Sequence, residues 1–433
     1  MWFLYEVLLF FGLLLYLPKA LWRRRLPHHG WGMRLGCYPA SVTKAMQGRR
    51  SLWVHAVSVG EILAARPLLG QLCPADPNDR LVLSTITSSG FAVACEHFRD
   101  QGVAVYFPLD LRLCVTRALD AFRPRALLLV ESELWPTVIR LTKSRGIPIA
   151  VVNGRISVRA FNRYRLVRPW LKGMLQQVDL FLMQSQADAD RVLRLGAPAD
   201  RVRVVGSLKW DASVRARPAP DVVRQTATSL GLEDQELLIV GGSTHRGEER
   251  ALLDALRDIR QAHPRTRLVI APRHLERLAE VEALVRQCGL APRRVSRAEG
   301  NSWDVALVDA YGQLPCYYAL ATIAFVGGTL IPHGGQNPLE ATSLGKPVVF
   351  GPSVHNFETI VHQLLAHRAA RQVGSAQELE GVLSELLTHP ADAEAMGRRA
   401  QEVTEQFQGA TQRTLEALKP LLKGDPEWPR GYA

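Results

Sequence analysis

Seven short turns in this chain carry side chains that could do chemistry. HAVSVGE (55–61) presents Ser58, Gly60 and Glu61 where a strand gives way to a helix. A carboxylate there can act as a general base if it comes within about 2.6–3.2 Å of the proton it removes. Ser58 and Glu61 also have the spacing of a capping box, in which the pair would only hold a helix start. ESELW (131–135) places Glu131 and Glu133 around Ser132; one can orient a basic group, or both can cap the helix that follows Trp135. NGRIS (153–157) and GSLK (206–209) supply Arg155 and Lys209, cations for a carboxylate or a phosphate, or plain surface charges.

The later turns look like ligand holders. GGSTHRGEE (241–249) brings Ser243 and Thr244 to the end of a strand, where free amides at a helix N-terminus can hold a phosphate. It is not a P-loop, because GxxxxGK[ST] is absent. APRH (271–274) adds Arg273 and His274, the histidine being as consistent with a buried core position. GGTLIPHGGQNPLEA (327–341) combines two glycine pairs with Asn337 and Glu340. Glycines allow close backbone approach, and a carboxylate at that point can accept bonds from ribose hydroxyls.

Positioning these turns requires strands that end together. Apolar runs at 52–57, 80–85, 103–107, 126–131, 147–152 and 178–183 alternate with helical stretches, and a second series follows at 236–242, 267–272, 304–309, 322–328 and 346–351. Continuous apolar runs separated by helices mean a parallel sheet covered on both faces. The expectation is α/β: two doubly wound Rossmann-like domains at 26–210 and 226–410, a linker at 211–225 around Pro218 and Pro220, and a C-terminal helix or tail at 411–433. Ligands are then expected at the carboxyl ends of the strands, in a cleft between the domains.

A length of 433 residues fits two or three domains, and 47% hydrophobic with 22% charged residues excludes disorder, collagen and a multi-span bundle. The net charge of +12 is uneven: residues 1–210 hold 29 Lys+Arg against 14 Asp+Glu, the remainder 24 against 27. A surplus of +15 in one half suits a polyanionic partner there, whether membrane surface, anionic ligand or nucleic acid. Cysteines 37, 73, 95, 114, 288 and 316 form no CxxC pair, so neither a zinc site nor a disulfide framework is indicated. Reduced thiols in the cytosol are the simplest reading.

Trp2 to Leu17 is apolar except for Glu6, and Lys19 and Arg23, Arg24 and Arg25 follow. Sixteen helical residues reach roughly 24 Å, and extension to Trp22 spans a bilayer, so residues 1–25 are expected to be a membrane anchor with the bulk of the chain on the cytoplasmic side. An amphipathic or buried first helix is the alternative. Between Arg140 and Lys172 lie nine basic residues and no acid, and around Arg159, Arg163 and Arg165 the aromatics Phe161, Tyr164 and Trp170 interleave. Such a mixture suits a lipid headgroup interface, single-stranded nucleic acid or a solvated helix face; the adjacent anchor favours the membrane.

In order, HAVSVGE, ESELWP, NGRIS, GSLKWD, GGSTHRGEE, APRH, GGQNPLEA and GPSVHNF (351–357), behind one N-terminal apolar segment, resemble the Kdo transferases of lipopolysaccharide synthesis over residues 1 to about 370. The resemblance implies a GT-B glycosyltransferase of the inner membrane that moves 3-deoxy-D-manno-oct-2-ulosonic acid (Kdo) from CMP-Kdo to the lipid A precursor with inversion. It implies Glu61 as general base and a donor site of Ser243, Thr244, Arg273, His274, Asn337 and Glu340. Ser58, Gly60, Glu131, Arg155 and Lys209 would meet the donor carboxylate or acceptor phosphates. Arg159, Arg163 and Arg165 would face the membrane and a bisphosphorylated lipid. Gln336 departs from the family, which commonly has His there. A CMP-sugar leaves as a phosphate monoester, so no metal and no cofactor are expected, and nucleic acid is not an expected partner. The alternatives are a GT-B transferase using a UDP-sugar and a non-catalytic lipid-binding protein.

Overall fold

The computed structural model describes residues 5–7, 9, 11–12, 15, 30–72, 79–98, 101–233, 236–297 and 302–423. The chain divides into two units, residues 1–212 with 408–433, and residues 213–407.

The first unit is built on seven parallel strands, β1 (Arg50–His55), β2 (Asp79–Thr85), β3 (Gly102–Tyr106), β4 (Pro124–Val130), β5 (Ile149–Gly154), β6 (Leu180–Met183) and β7 (Val202–Val204). Their order is β3-β2-β1-β4-β5-β6-β7. The apolar runs of the sequence are continuous because both faces are covered: Trp53, Leu127 and Leu129 enter one core, while Leu52, Val54, Leu128 and Val130 enter the other. That is the period-2 alternation of a strand, with apolar residues on both sides.

The second unit repeats the plan with β8 (Leu237–Thr244), β9 (Thr266–Pro272), β10 (Pro292–Arg294), β11 (Val305–Leu307), β12 (Ile323–Val326), β13 (Val348–Phe350) and β14 (Arg371–Gln372). The order is β10-β11-β9-β8-β12-β13-β14, again parallel in every pair. The short edge strands β7, β10 and β14 escaped the sequence pattern, since VRV, PRR and RQ carry no apolar run.

Two expected boundaries differ. The segment 211–225, expected as a linker, is largely helical: Leu208–Arg215 runs into it, and Pro220–Leu230 begins there. Pro220 starts that second helix because a first-turn position has no intrahelical partner for the N–H that proline lacks. The expected C-terminal helix runs from Ala410 to Lys423 and belongs to the first unit. Asp211 accepts the Gly409 and Thr411 amides, and Ala410, Ala417, Leu418 and Leu421 pack in the core with Leu52 and Ala126.

Most of the expected anchor, residues 1–25, lies outside the described residues. Where described, its start is tied to the first unit: the Tyr5 hydroxyl donates to Asp110 Oδ2 at 2.9 Å, and Arg140 Nη2 donates to Glu6 Oε1 at 2.8 Å. Among the described residues no helix is long and apolar enough to cross a membrane. Cysteines 37, 95, 114, 288 and 316 are free thiols.

Candidate active site

In doubly wound sheets ligands gather at the carboxyl edge, where strand order reverses. In the first unit that point lies between β1 and β4, and the turns after these two strands carry Glu61 and Glu131. Glu61 sits in the first turn of the helix Val59–Gln71. The capping box does not form: Ser58 makes no side-chain cap, and its hydroxyl donates instead to Glu61 Oε1 at 3.1 Å. The Val57 amide donates to Oε2 at 2.7 Å. Both bonds favour the carboxylate, yet burial outweighs them, and with the charge of Glu131 it pushes the Glu61 pKa up to about 8.

Glu131 has a left-handed backbone, φ 60°, and its carboxylate pairs with Lys209 Nζ at 2.9 Å. Asn153, also left-handed at φ 54° and buried, accepts the Leu208 amide at 2.9 Å and so sets the helix that carries Lys209. Non-glycine residues in that region cost about 1–3 kcal/mol each and persist where the surroundings impose them. Glu133 accepts from Trp135 Nε1 at 2.9 Å, and burial raises its pKa. Its Oε2 lies 3.9 Å from Nε2 of the fully buried His55, whose pKa is lowered to about 3 by burial, so the imidazole is neutral. Three carboxylates thus share one corner with one ion-paired lysine, an arrangement that keeps a proton on Glu61 until pH is high or a cation arrives.

Half-buried Arg155 directly follows β5 at the same edge. Arg159, Arg163 and Arg165 are exposed on the helix Val158–Leu166, beside Leu166 at 85% exposure. Tyr164 of that helix faces Glu133, whose charge adds to burial in raising the phenol's pKa. The basic stretch therefore borders the carboxylates. Gly60 leaves open space: a Cβ there would meet only Ser58 Oγ, at 4.0 Å.

In the second unit the reversal lies between β8 and β12. Glu248, fully buried, ties the turns after both strands together. Its carboxylate accepts the amides of His245 (2.9 Å), Gly328 (2.7 Å), Thr329 (2.9 Å) and Leu330 (3.0 Å). Gly327 allows this approach, since a Cβ would stand 2.4 Å from the Ser243 carbonyl oxygen. The helix begins only at Glu248, so Ser243 and Thr244 end β8 rather than opening the helix, contrary to the sequence reading. Ser243 is left-handed at φ 53°, and the buried Thr244 hydroxyl has no hydrogen-bond partner.

Arg273 and His274 follow β9, and the Arg273 amide donates to the Thr244 carbonyl at 2.9 Å. His274 is half-exposed, not a core residue. Around His245 the His333 ring lies 4.2 Å away and the His274 ring 5.6 Å away, with Gln336 Nε2 at 3.3 Å from His245 Nε2. Asn337 accepts the Leu339 amide at 3.1 Å. Burial pushes the Glu340 pKa up to about 7 against a hydrogen bond from Asn337 and the charge of Arg273.

Among the described residues no group of three or more His, Cys, Asp or Glu could hold a metal ion. The sequence reading found no Asp-x-Asp pair, but the chain holds one, Asp188 and Asp190, and it is structural. Asp188 accepts the Ile156 amide at 2.9 Å and pairs with Arg191, and Asp190 accepts from Gln186. The sequence reading named Glu133 without its partners, and it missed His55 and Asn153 in one corner and Glu248, His245 and His333 in the other. Glu133 and Glu248 stood inside motifs already singled out, but their partners come from other strands.

The chain spans 86% of its length in superposition on a UDP-GlcNAc 2-epimerase from Neisseria meningitidis bound to UDP-GlcNAc, covering 99% of that chain with a TM-score of 0.60 at 16% identity. The fold places the protein in the class of two-unit, Rossmann-like α/β proteins. Residues 29–212 match the profile of the 3-deoxy-D-manno-octulosonic-acid transferase (kdotransferase) family. The 3-deoxy-D-manno-octulosonic acid transferase of Haemophilus influenzae is 32% identical over 421 residues, 96% of both chains. That of Bordetella pertussis is 33% identical over 382 residues, 86% of this chain and 87% of its own. The chain belongs to this transferase family and is a glycosyltransferase.

Proposed function

We propose that the protein transfers Kdo from CMP-Kdo to the lipid A precursor with inversion at the anomeric carbon, at the cytoplasmic face of the inner membrane. The observation that carries the reading is Glu61, held by the Val57 amide and the Ser58 hydroxyl with its pKa raised to about 8. A base of that strength takes a proton from a sugar hydroxyl as the oxygen attacks, better than an ordinary carboxylate would. The new bond forms from the acceptor oxygen to the anomeric carbon. The bond from that carbon to the CMP phosphate oxygen breaks with its electron pair on the phosphate.

The first unit takes the acceptor. Its basic helix with Arg159, Arg163 and Arg165, next to exposed Leu166, suits a bisphosphorylated lipid at a membrane surface. The apolar segment 1–25 supplies membrane attachment in this reading. The second unit takes CMP-Kdo, with Arg273 for phosphate and Asn337 and Glu340 for the nucleoside. Transfer is proposed to need no metal, since a single phosphate monoester departs and cationic side chains can meet its charge.

Incubation of the full chain with CMP-Kdo and tetraacylated lipid A precursor should release CMP and increase the lipid mass by whole Kdo units. Glu61→Gln should lower turnover by about 10²–10⁴-fold. Release of UDP from UDP-sugars in place of CMP, or full activity in the Gln variant, would overturn the reading.

A further inference from the structure

Three imidazoles from three different strand ends meet in the second unit: His245 after β8, His274 after β9 and His333 after β12. His245 is 7% exposed, and its ring lies at a tilt over that of His333. Glu276 Oε1 lies 3.5 Å from Nδ1 of His274, and the other groups that face His245 are cationic or spent. Arg273 and Arg277 act on it as positive charges, Glu248 is used by four amides, and Glu249 is used by Arg277 at 2.9 Å. Gln336 adds a carboxamide. Burial pushes the His245 pKa down to about 4, and the neighbouring His333, His274, Arg273 and Arg277 add to this. The rings meet tilted and edge-on, and among the described residues no group of three or more His, Cys, Asp or Glu could hold a metal ion, so the cluster suits an anion.

We propose that this cluster is a proton-accepting seat for the donor's phosphate: His245, with His274 and His333, takes up a proton from solvent as the phosphate gains charge. The inference rests on the donor reading above. CMP-Kdo carries one charge on its phosphodiester, whereas released CMP carries a monoester whose second ionisation falls near pH 6. The second charge appears on phosphate oxygen when the glycosyl bond breaks. An imidazole that turns cationic at that moment balances it. The proton lost by the acceptor goes to Glu61, and a separate proton enters at the donor end.

The test is calorimetric titration of the full chain with CMP at pH 7.5, where free CMP is already dianionic, in two buffers of different protonation enthalpy. Binding should take up on the order of one proton, and affinity should fall as pH rises. His245→Asn should abolish most of the uptake and weaken CMP about tenfold, leaving cytidine, which lacks the phosphate, unchanged. His274→Gln, at a half-exposed position that does not threaten folding, should reduce both effects in the same direction. CMP binding without proton uptake, unchanged uptake in both variants, or equal losses for CMP and cytidine would overturn the seat. No CMP binding by the native chain would overturn the donor reading itself.

Discussion

The two units place a glutamate at the same station of the same fold and give it opposite fates. Glu61 follows β1 and Glu248 follows β8, each beside the point where strand order reverses, and each reaches back to a preceding backbone amide. Glu248 then gains three more amides from the turn after β12 and is fully buried. Glu61 gains only the Ser58 hydroxyl, and what the turn after β4 brings it is a second carboxylate. A carboxylate whose lone pairs are all taken is a fastener. One left partly bonded beside a like charge keeps its proton to a higher pH. The residue type and its place on the fold are the same; the neighbouring strand's turn decides the outcome.

Breaking the fastener should have the largest effect. Glu248→Gln replaces one acceptor oxygen by an amide facing donors, so at least two backbone amides lose their bonds at a cost of about 3 kcal/mol. Chemical denaturation should show the second unit unfolding earlier, with CMP binding lost. Unchanged stability would mean that the two turns hold together without it.

The base should show the reverse behaviour. Because the folded Glu61 pKa lies above its ordinary value, the native state binds more protons between about pH 4.5 and 8, and stability declines as pH rises through that window. Glu61→Gln removes the decline. Its melting temperature should exceed that of the native protein at pH 9 and match it at pH 4. The smallest effect on the fold is expected at Gly60, where an added methyl meets open space. Gly60→Ala should gain about 0.5–1 kcal/mol of helix stability while lowering turnover roughly tenfold or more, because the acceptor is displaced from Glu61. Native turnover in a stabilised Gly60→Ala variant would move the acceptor away from this turn.

Much of the fold was legible because buried parallel strands write themselves as apolar runs: Leu52 to Val54 and Leu127 to Val130 could hardly be anything else. The edges were not, because β10 and β14 are three and two residues long and are held by backbone pairing and by polar side chains such as Arg293 and Arg371, which leave no apolar run in the sequence. Glu61 was legible as a strand-end carboxylate, but whether it closes a capping box with Ser58 needed the third dimension. His55 and Glu133 meet only because β1 and β4, about seventy residues apart, are neighbours. Glu248 finds Gly328 and Leu330 some eighty residues downstream for the same reason. Proline misled at 211–225, where Pro220 opens a helix.

The helix Ala410–Lys423 has a consequence for how the protein is made. Domains generally fold in the order they leave the ribosome, but the first unit cannot finish in that order. Its core waits for Leu418 and Leu421, and Asp211 waits for Gly409 and Thr411, all translated after the whole second unit. The later-encoded second unit is thus complete first, and the unit that carries Glu61 closes only after residues 409–421 have been made. An interrupted message therefore yields a folded second unit without a finished first one.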